Sequence, residues 1–531
     1  MTGTPTVAWD HEADVVIVGL GGAGACAAIE ARQRGAAVTI LERFSGGGAT
    51  AISGGVVYAG GGTDIQLEAG VKDDVEAMRA YLSQEVGGIV TEETLRKFCE
   101  GSVEDLRWLA GLGLRFEASL CPHKTSYPND DYFLYYSGNE AAEPYRSLAR
   151  PAPRGHRVKG KGLPGRNFFK PLRKEVDRLG AELRLHSRAR ELITDEDGGV
   201  IGVAYQQIPP GFWARLHGGI EALATGVALF VPWLARALRR LGGRVESRHA
   251  QSRRVGARRG VILSTGGFID NLEMIEEYAP AYRSGLPICT AGCSGEGMRM
   301  GEAVGARLEH MQNISAWLFL NPPHAFMHGM LINGEGKRFV NESLYGAAIG
   351  GQLVEKNGGV GFLIIDSALK TLARSQIGRG QTQTFQTLPA LLNLLVNCRR
   401  ADDIDALARI CRCNTRELEQ TLAAYNEAAR SGAPDAFGKD ERAVLEPPYY
   451  AIDCSADKWT FPLMTLTLGG LAVDEETGAV CRPDRTPIPR LYAAGRAAVG
   501  ICSCNYVSGL SIADCVYSGR RAGRVAAGKP A

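Results

Sequence analysis

The chain has 531 residues, 45% of them hydrophobic and 22% charged, with a formal net charge of +2 at pH 7. That length excludes one simple core and points to two domains, or one large domain carrying an insertion. The near-neutral balance excludes a partner recognised through whole-chain charge, nucleic acid included, and the composition is that of an ordinary soluble protein.

The first twelve residues are polar and acidic and contain Pro5, so no secretory signal is expected and the protein reads as cytoplasmic. An apolar run, Val15-Val16-Ile17-Val18, then meets Gly19-Leu20-Gly21-Gly22-Ala23-Gly24. A helix-forming stretch over 25–34 follows, and a second apolar strand over 37–41 ends at Glu42-Arg43. Each piece has a function in dinucleotide binding. Gly19 permits the tight turn, Gly21 lets backbone approach a pyrophosphate, Gly24 allows close helix–strand packing, the helix N-terminus faces the phosphates and Glu42 reaches a ribose hydroxyl, with Gly22 and Ala23 read as cofactor-binding beside them.

A second glycine cluster, Ser45-Gly46-Gly47-Gly48-Ala49-Thr50, and then Ser53-Gly54-Gly55 strip the backbone of side chains, as required where a flat ring system lies against the chain. Residues 64–116 read as helical. After a short strand over 200–206 comes an unusual segment, 207–250. Its centre, 222–235, is uncharged and largely apolar, with Trp213 and Trp233 near its ends. Arg215, Arg236, Arg239, Arg240, Arg244, Arg248, Arg253, Arg254, Arg258 and Arg259 surround it, against only Glu221 and Glu246. The apolar part is too short to span a bilayer, which takes roughly 20 residues. Basic residues and interfacial aromatics beside an apolar helix describe a segment lying in a membrane surface, peripheral at the inner face of the cytoplasmic membrane. A subunit interface or a buried helical hairpin with a solvated flank is the alternative.

Further along, a strand from Gly260 ends in Thr265-Gly266-Gly267-Phe268, and Arg490-Leu491-Tyr492-Ala493-Ala494-Gly495 repeats the pattern before a final helix over about 508–526, in which Leu510 and Ser511 read as cofactor-binding. A nucleotide site built from both ends of the chain implies an inserted middle and favours FAD over NAD. The expected fold is α/β: a Rossmann-like FAD-binding domain over 1–311 and 456–531, with an α+β substrate cap inserted as 312–455. The cap should hold an apolar mouth over 317–326 and a helical pair over 403–430. Thirteen cysteines show no metal-type spacing and read as buried or idle thiols. His324 and His328 read as pocket lining or surface, and no metal site is expected.

The whole chain resembles the flavoproteins of the fumarate reductase and 3-ketosteroid dehydrogenase type. The markers are the N-terminal fingerprint, the glycine clusters at 47–50 and 53–55, the turn at 265–268, Gly336-Lys337-Arg338-Phe339-Val340-Asn341-Glu342, Leu468-Gly469-Gly470-Leu471 and the C-terminal Tyr-Ala-Ala-Gly. The resemblance implies hydride transfer between a flavin and a carbon atom. It also implies a non-covalent flavin, because Gly48 stands where covalent members carry a histidine. Gly346 stands where fumarate reductases place an arginine, with Tyr345 beside it. Asn505-Tyr506-Val507-Ser508-Gly509, the 151–156 and 102–109 segments and the small-residue run over 59–62 resemble the 3-ketosteroid Δ4-(5α)-dehydrogenases. The implied substrate is a 3-ketosteroid and the implied catalytic residues are Tyr345, Tyr506 and Ser508, with the immediate base left open among them. Gly469 and Gly470 are candidates for approach to the ring or the substrate carbonyl. A Δ1-dehydrogenase, a fumarate-reductase-like enoate reductase and a flavin-bearing scaffold without turnover remain alternatives, and the electron acceptor is unassigned.

Overall fold

The computed structural model describes residues 7–378 and 381–528. Half of the polar N-terminal stretch, residues 1–6, lies outside them. Strands β1 (His11–Val18), β2 (Val38–Leu41), β3 (Glu182–Arg184), β4 (Ser187–Thr194), β5 (Val200–Gln207), β6 (Gln251–Leu263), β7 (Ala479–Cys481) and β8 (Pro487–Ala493) form one sheet. Its spine runs β7-β8-β6-β1-β2-β3, parallel from β8 to β3. Val15 to Val18 are buried, as expected of a central parallel strand covered on both faces.

Helix α1 (Gly22–Gln33) carries the chain from β1 to β2. The turn before it needs Gly19, whose φ is +97°. A Cβ on Gly24 would lie 2.1 Å from the Gly19 carbonyl oxygen, so helix and strand touch there. The C-terminal helix Leu510–Ala527 docks on α1 through Gly519 and Gly523, where a Cβ would meet the backbone oxygens of Ala23 and Ala27 at 2.5 and 2.3 Å. The two ends of the chain thus close on one site.

Strand β6 begins at Gln251, nine residues before the strand expected from Gly260. The arginine-rich sequence concealed it. Arg253 pairs with Asp10, Arg258 with Glu12 and Asp14, and Arg259 with Asp14. These arginines belong to the sheet margin and leave the basic flank of 207–250 correspondingly smaller. That segment is a hairpin of α2 (Phe212–Val227) and α3 (Pro232–His249). Ala214, Ile220 and Val245 pack inward beside Ile208, while Phe212, Leu223, Phe230 and Trp233 stay 69, 56, 62 and 68% exposed. Among the described residues no helix is long and apolar enough to cross a membrane.

The middle of the chain builds a separate four-stranded antiparallel sheet from Met330–Asn333, Gly361–Asp366, Tyr449–Asp453 and Cys398–Ala401. The helical pair read at 403–430 is Ile404–Cys411 and Thr415–Ser431. A small sheet joins the two halves: Ile314–Trp317 hydrogen-bonds along Met464–Thr467, which also pairs with Leu286–Pro287. The stretch at 314–317 that leads into the middle of the chain is therefore held in one sheet with 286–287 and 464–467.

Candidate active site

One cavity of about 880 Å³ runs from the β1–α1 turn to the start of the C-terminal helix. Gly19, Gly21, Gly22, Ala23, Glu42, Arg43, Gly48, Ala49, Thr50, Ser53, Gly54, Gly55, Thr265, Gly266, Gly495 and Ser511 all line it. Four residues read from the sequence as cofactor-binding stand behind its wall. Gly24 packs on the Gly19 carbonyl, a Cβ on Gly47 would lie 2.6 Å from Ala51 Cβ, one on Gly267 would lie 2.0 Å from Thr467 Oγ1, and Leu510 is fully buried in the core. Gly469 and Gly470 likewise abut backbone, at His310 and Ala497, and not the cavity.

The nucleotide end fits a phosphate-bridged ligand. A Cβ on Gly21 would meet nothing nearer than Thr50 Oγ1 at 4.0 Å, so the backbone there faces open cavity at the positive end of α1. Thr50 Oγ1 accepts from Gly22 N–H at 3.1 Å and holds the second glycine cluster against the first. Each Glu42 oxygen accepts one backbone N–H, from Leu20 and from Phe44, at 2.8 Å, which fixes the carboxylate at the end of β2. Burial raises its pKa while those two donors oppose the shift. Thr265 Oγ1 and Arg496 Nη1 are buried in the wall without a hydrogen-bond partner among the described residues and suit ligand oxygens. Arg43 turns to Glu246, at 3.0 Å.

The other end is apolar, walled by Trp317, Phe319, Phe326, Phe461 and Leu466. Tyr345, Tyr506 and Ser508 meet here. The Tyr345 and Tyr506 rings stack at 6.5 Å, and Tyr506 sets its ring edge-on to Trp317 at 4.7 Å. Ser508 Oγ lies 3.0 Å from the Tyr135 hydroxyl, and the Ser508 hydroxyl beside Tyr345 opposes the rise that burial imposes on that phenol. Burial pushes all three phenols, Tyr135 included, above their ordinary range. Tyr345 stands at the N-terminus of helix Gly346–Lys356, and a Cβ on Gly346 would lie 2.7 Å from the Leu318 carbonyl oxygen. No arginine fits at that position.

A model of the FAD binding domain family matches residues 14–512. The chain belongs to this FAD-binding family. The flavoprotein is 39% identical over 502 residues to a 3-oxo-5-alpha-steroid 4-dehydrogenase of Comamonas testosteroni, covering 92% of this chain and 93% of the relative. It is 26% identical to a fumarate reductase (cytochrome) of Shewanella frigidimarina, over 97% of this chain and 77% of the relative. A crystal structure of 3-ketosteroid-delta4-(5alpha)-dehydrogenase from Rhodococcus jostii RHA1, in complex with 4-androstene-3,17-dione, superposes with a TM-score of 0.83 at 32% identity, covering 99% of this chain and 98% of that one.

Sequence reading missed the support behind the tyrosines of this flavoprotein. Tyr135 sits in strand Leu134–Tyr135, and no spacing links it to Ser508, 373 residues away. Asn139 Oδ1 accepts from the Tyr345 backbone N–H at 2.6 Å, while Asn139 Nδ2 and the Tyr81 hydroxyl donate to the same Glu85 oxygen, at 2.8 and 2.7 Å. Burial raises the Glu85 carboxyl to about 7. With its folded pKa above the ordinary 4.5, the group stabilises the fold fully below about pH 4.5, and that contribution disappears as pH rises through 7. Glu85→Gln keeps the carbonyl acceptor but cannot ionise. Melting temperature followed from pH 5 to 8 should therefore fall less in the variant than in the parent; parallel curves would show that Glu85 does not titrate there.

Proposed function

We propose that this flavoprotein is a 3-ketosteroid Δ4-(5α)-dehydrogenase, which removes a C4 proton and the C5 hydride of a 3-oxo-5α-steroid. The observation that carries the reading is the meeting of Tyr345, Tyr506 and Ser508 at the apolar end of the cavity, in a chain 39% identical to a 3-oxo-5-alpha-steroid 4-dehydrogenase. A fused hydrocarbon skeleton suits aromatic and aliphatic walls, and few polar groups are needed to orient it. A dicarboxylate needs a cationic clamp, and Gly346 leaves no room for one.

The C4 hydrogen is acidic because the carbanion delocalises into the C3 carbonyl, so donors aimed at that oxygen lower the barrier. Bound FAD supplies the hydride acceptor. Tyr506 and Ser508 abstract and relay the proton, Tyr345 orients them, and the Ser508–Tyr135 hydrogen bond extends the relay away from the substrate. Buried phenols resist ionisation, so proton transfer is concerted with the relay and with hydride departure. Gly21 to Ala23 hold the pyrophosphate and Glu42 a ribose hydroxyl. The flavin is held without a covalent bond to histidine, since among the described residues no histidine lines the cavity. Residues 312–455 act as the substrate cap.

Anaerobic bleaching of the flavin tests the assignment before any electron acceptor is involved. A 5α-saturated 3-ketosteroid should bleach it and yield the 4-ene. Bleaching by the 4-ene-3-ketosteroid would indicate Δ1 chemistry, and reoxidation of the reduced protein by fumarate alone would overturn the steroid reading.

We also propose that the α2–α3 hairpin rests on an anionic membrane surface. Phe212, Leu216, Leu223, Phe230, Trp233 and Leu241 lie exposed, and Arg215, Arg236, Arg240, Arg244 and Arg248 are exposed without an acidic partner among the described residues. Exposed aromatic and aliphatic side chains beside arginines suit the boundary between acyl chains and anionic headgroups. Phe230→Asp with Trp233→Asp should abolish co-sedimentation with phosphatidylglycerol vesicles while leaving flavin content unchanged. Undiminished sedimentation would remove the hairpin from membrane contact.

A further inference from the structure

The segment that carries Pro322, Pro323 and Phe326 into the cavity wall ends in a single 3-10 helix, His324–His328. Its two histidines face Glu441, more than a hundred residues further along the chain, which the fold brings across on the loop after the helical pair. His324 Nε2 lies 3.4 Å and His328 Nε2 3.6 Å from the same oxygen, Glu441 Oε2. One ligand atom from each of the three residues falls within 4.8 Å of the others. These separations are long for hydrogen bonds, which cluster at about 2.7–3.2 Å. They are close to the edge of a tetrahedron around zinc, about 3.3 Å for metal–ligand bonds of about 2.0–2.1 Å.

We propose that His324, His328 and Glu441 form a site for a divalent transition ion of the zinc class, which pins the cavity-lining segment at 322–328 to the loop carrying Glu441. Two imidazoles and a carboxylate are a donor set that zinc accepts, with water completing the shell. The His324 and His328 side chains are 21 and 22% exposed and Glu441 64%, so an ion reaches them from solvent without unfolding. His324 Nδ1 is buried and has no hydrogen-bond partner among the described residues, so Glu441 is the polar contact the His324 ring makes with another side chain. His123 extends the cluster, its ring 6.2 Å from that of His324. The site is independent of the steroid assignment, because it rests on geometry outside the flavin and tyrosine machinery.

The test uses tag-free holoprotein, stripped with EDTA, loaded with zinc chloride and dialysed. The parent should retain one zinc per chain more than His328→Ala and Glu441→Gln, whose affinity should fall tenfold or more. X-ray absorption should show nitrogen and oxygen neighbours at about 2.0–2.1 Å, and zinc should raise the melting temperature of the parent alone. Three outcomes would each overturn the proposal: no zinc retained, equal zinc in parent and variants, or sulfur neighbours at about 2.3 Å, which would place the metal on thiols.

Discussion

Tyr506→Phe is expected to lose at least about a hundredfold in kcat while the protein keeps its flavin and its melting temperature, the scale on which a positioned acid–base group contributes. The substitution removes one oxygen. The ring keeps its edge-on contact with Trp317 at 4.7 Å and its stacking on Tyr345 at 6.5 Å, so the cavity wall survives. Because the lost interaction acts on the departing proton, kcat should fall with little change in KM. Ser508→Ala distinguishes relay from scaffold. It deprives the Tyr135 hydroxyl of the partner it holds at 3.0 Å, leaving a buried phenol unsatisfied, which costs about 1–3 kcal/mol. A Ser508→Thr variant that restores both stability and turnover would assign the hydroxyl to the relay. Full activity in Tyr506→Phe would remove Tyr506 from the mechanism.

What was legible in the sequence was local. The β1 turn, the acid at 42 and the glycine runs announce themselves because dinucleotide contact is made by backbone, and backbone contact demands small residues at fixed spacing. Tyr345 and Tyr506 could be named only through resemblance, since an isolated tyrosine in a loop has no pattern of its own. Tyr135, Asn139 and Glu85 had no local signal: their roles arise from strand Leu134–Tyr135 and helix Val75–Val86 being folded against residues 54 to 373 positions away. The same holds for Glu441 beside His324 and His328. Glycine misled the reading where its two uses look alike. Gly47 and Gly267 sit in cofactor-type motifs, yet a Cβ at either would meet protein side chains, and only such neighbours separate them from Gly21, whereas the packing role of Gly24 was legible from its place in the fingerprint.

That separation gives the sharpest test of the nucleotide site. At Gly21 the backbone is at φ −91° and ψ −161°, open to a β-branched residue, and a Cβ would point into space whose nearest protein atom is 4.0 Å away. Gly21→Val should therefore fold, with an unchanged circular dichroism spectrum, but purify colourless, its flavin-to-protein ratio down at least tenfold, because the added methyl groups occupy the place of the pyrophosphate. Gly24→Val meets the Gly19 carbonyl oxygen at 2.1 Å and Ser264 Oγ at 2.7 Å, on a helix that cannot withdraw without leaving β1. Overpacking of that kind costs about 1–3 kcal/mol or more, and this variant should lose the fold along with the flavin. The pair divides loss of ligand from loss of structure within one turn of chain. A yellow, active Gly21→Val protein would mean that the pyrophosphate lies elsewhere, and a folded, flavin-bearing Gly24→Val would mean that the contact between α1 and β1 is looser than these distances require.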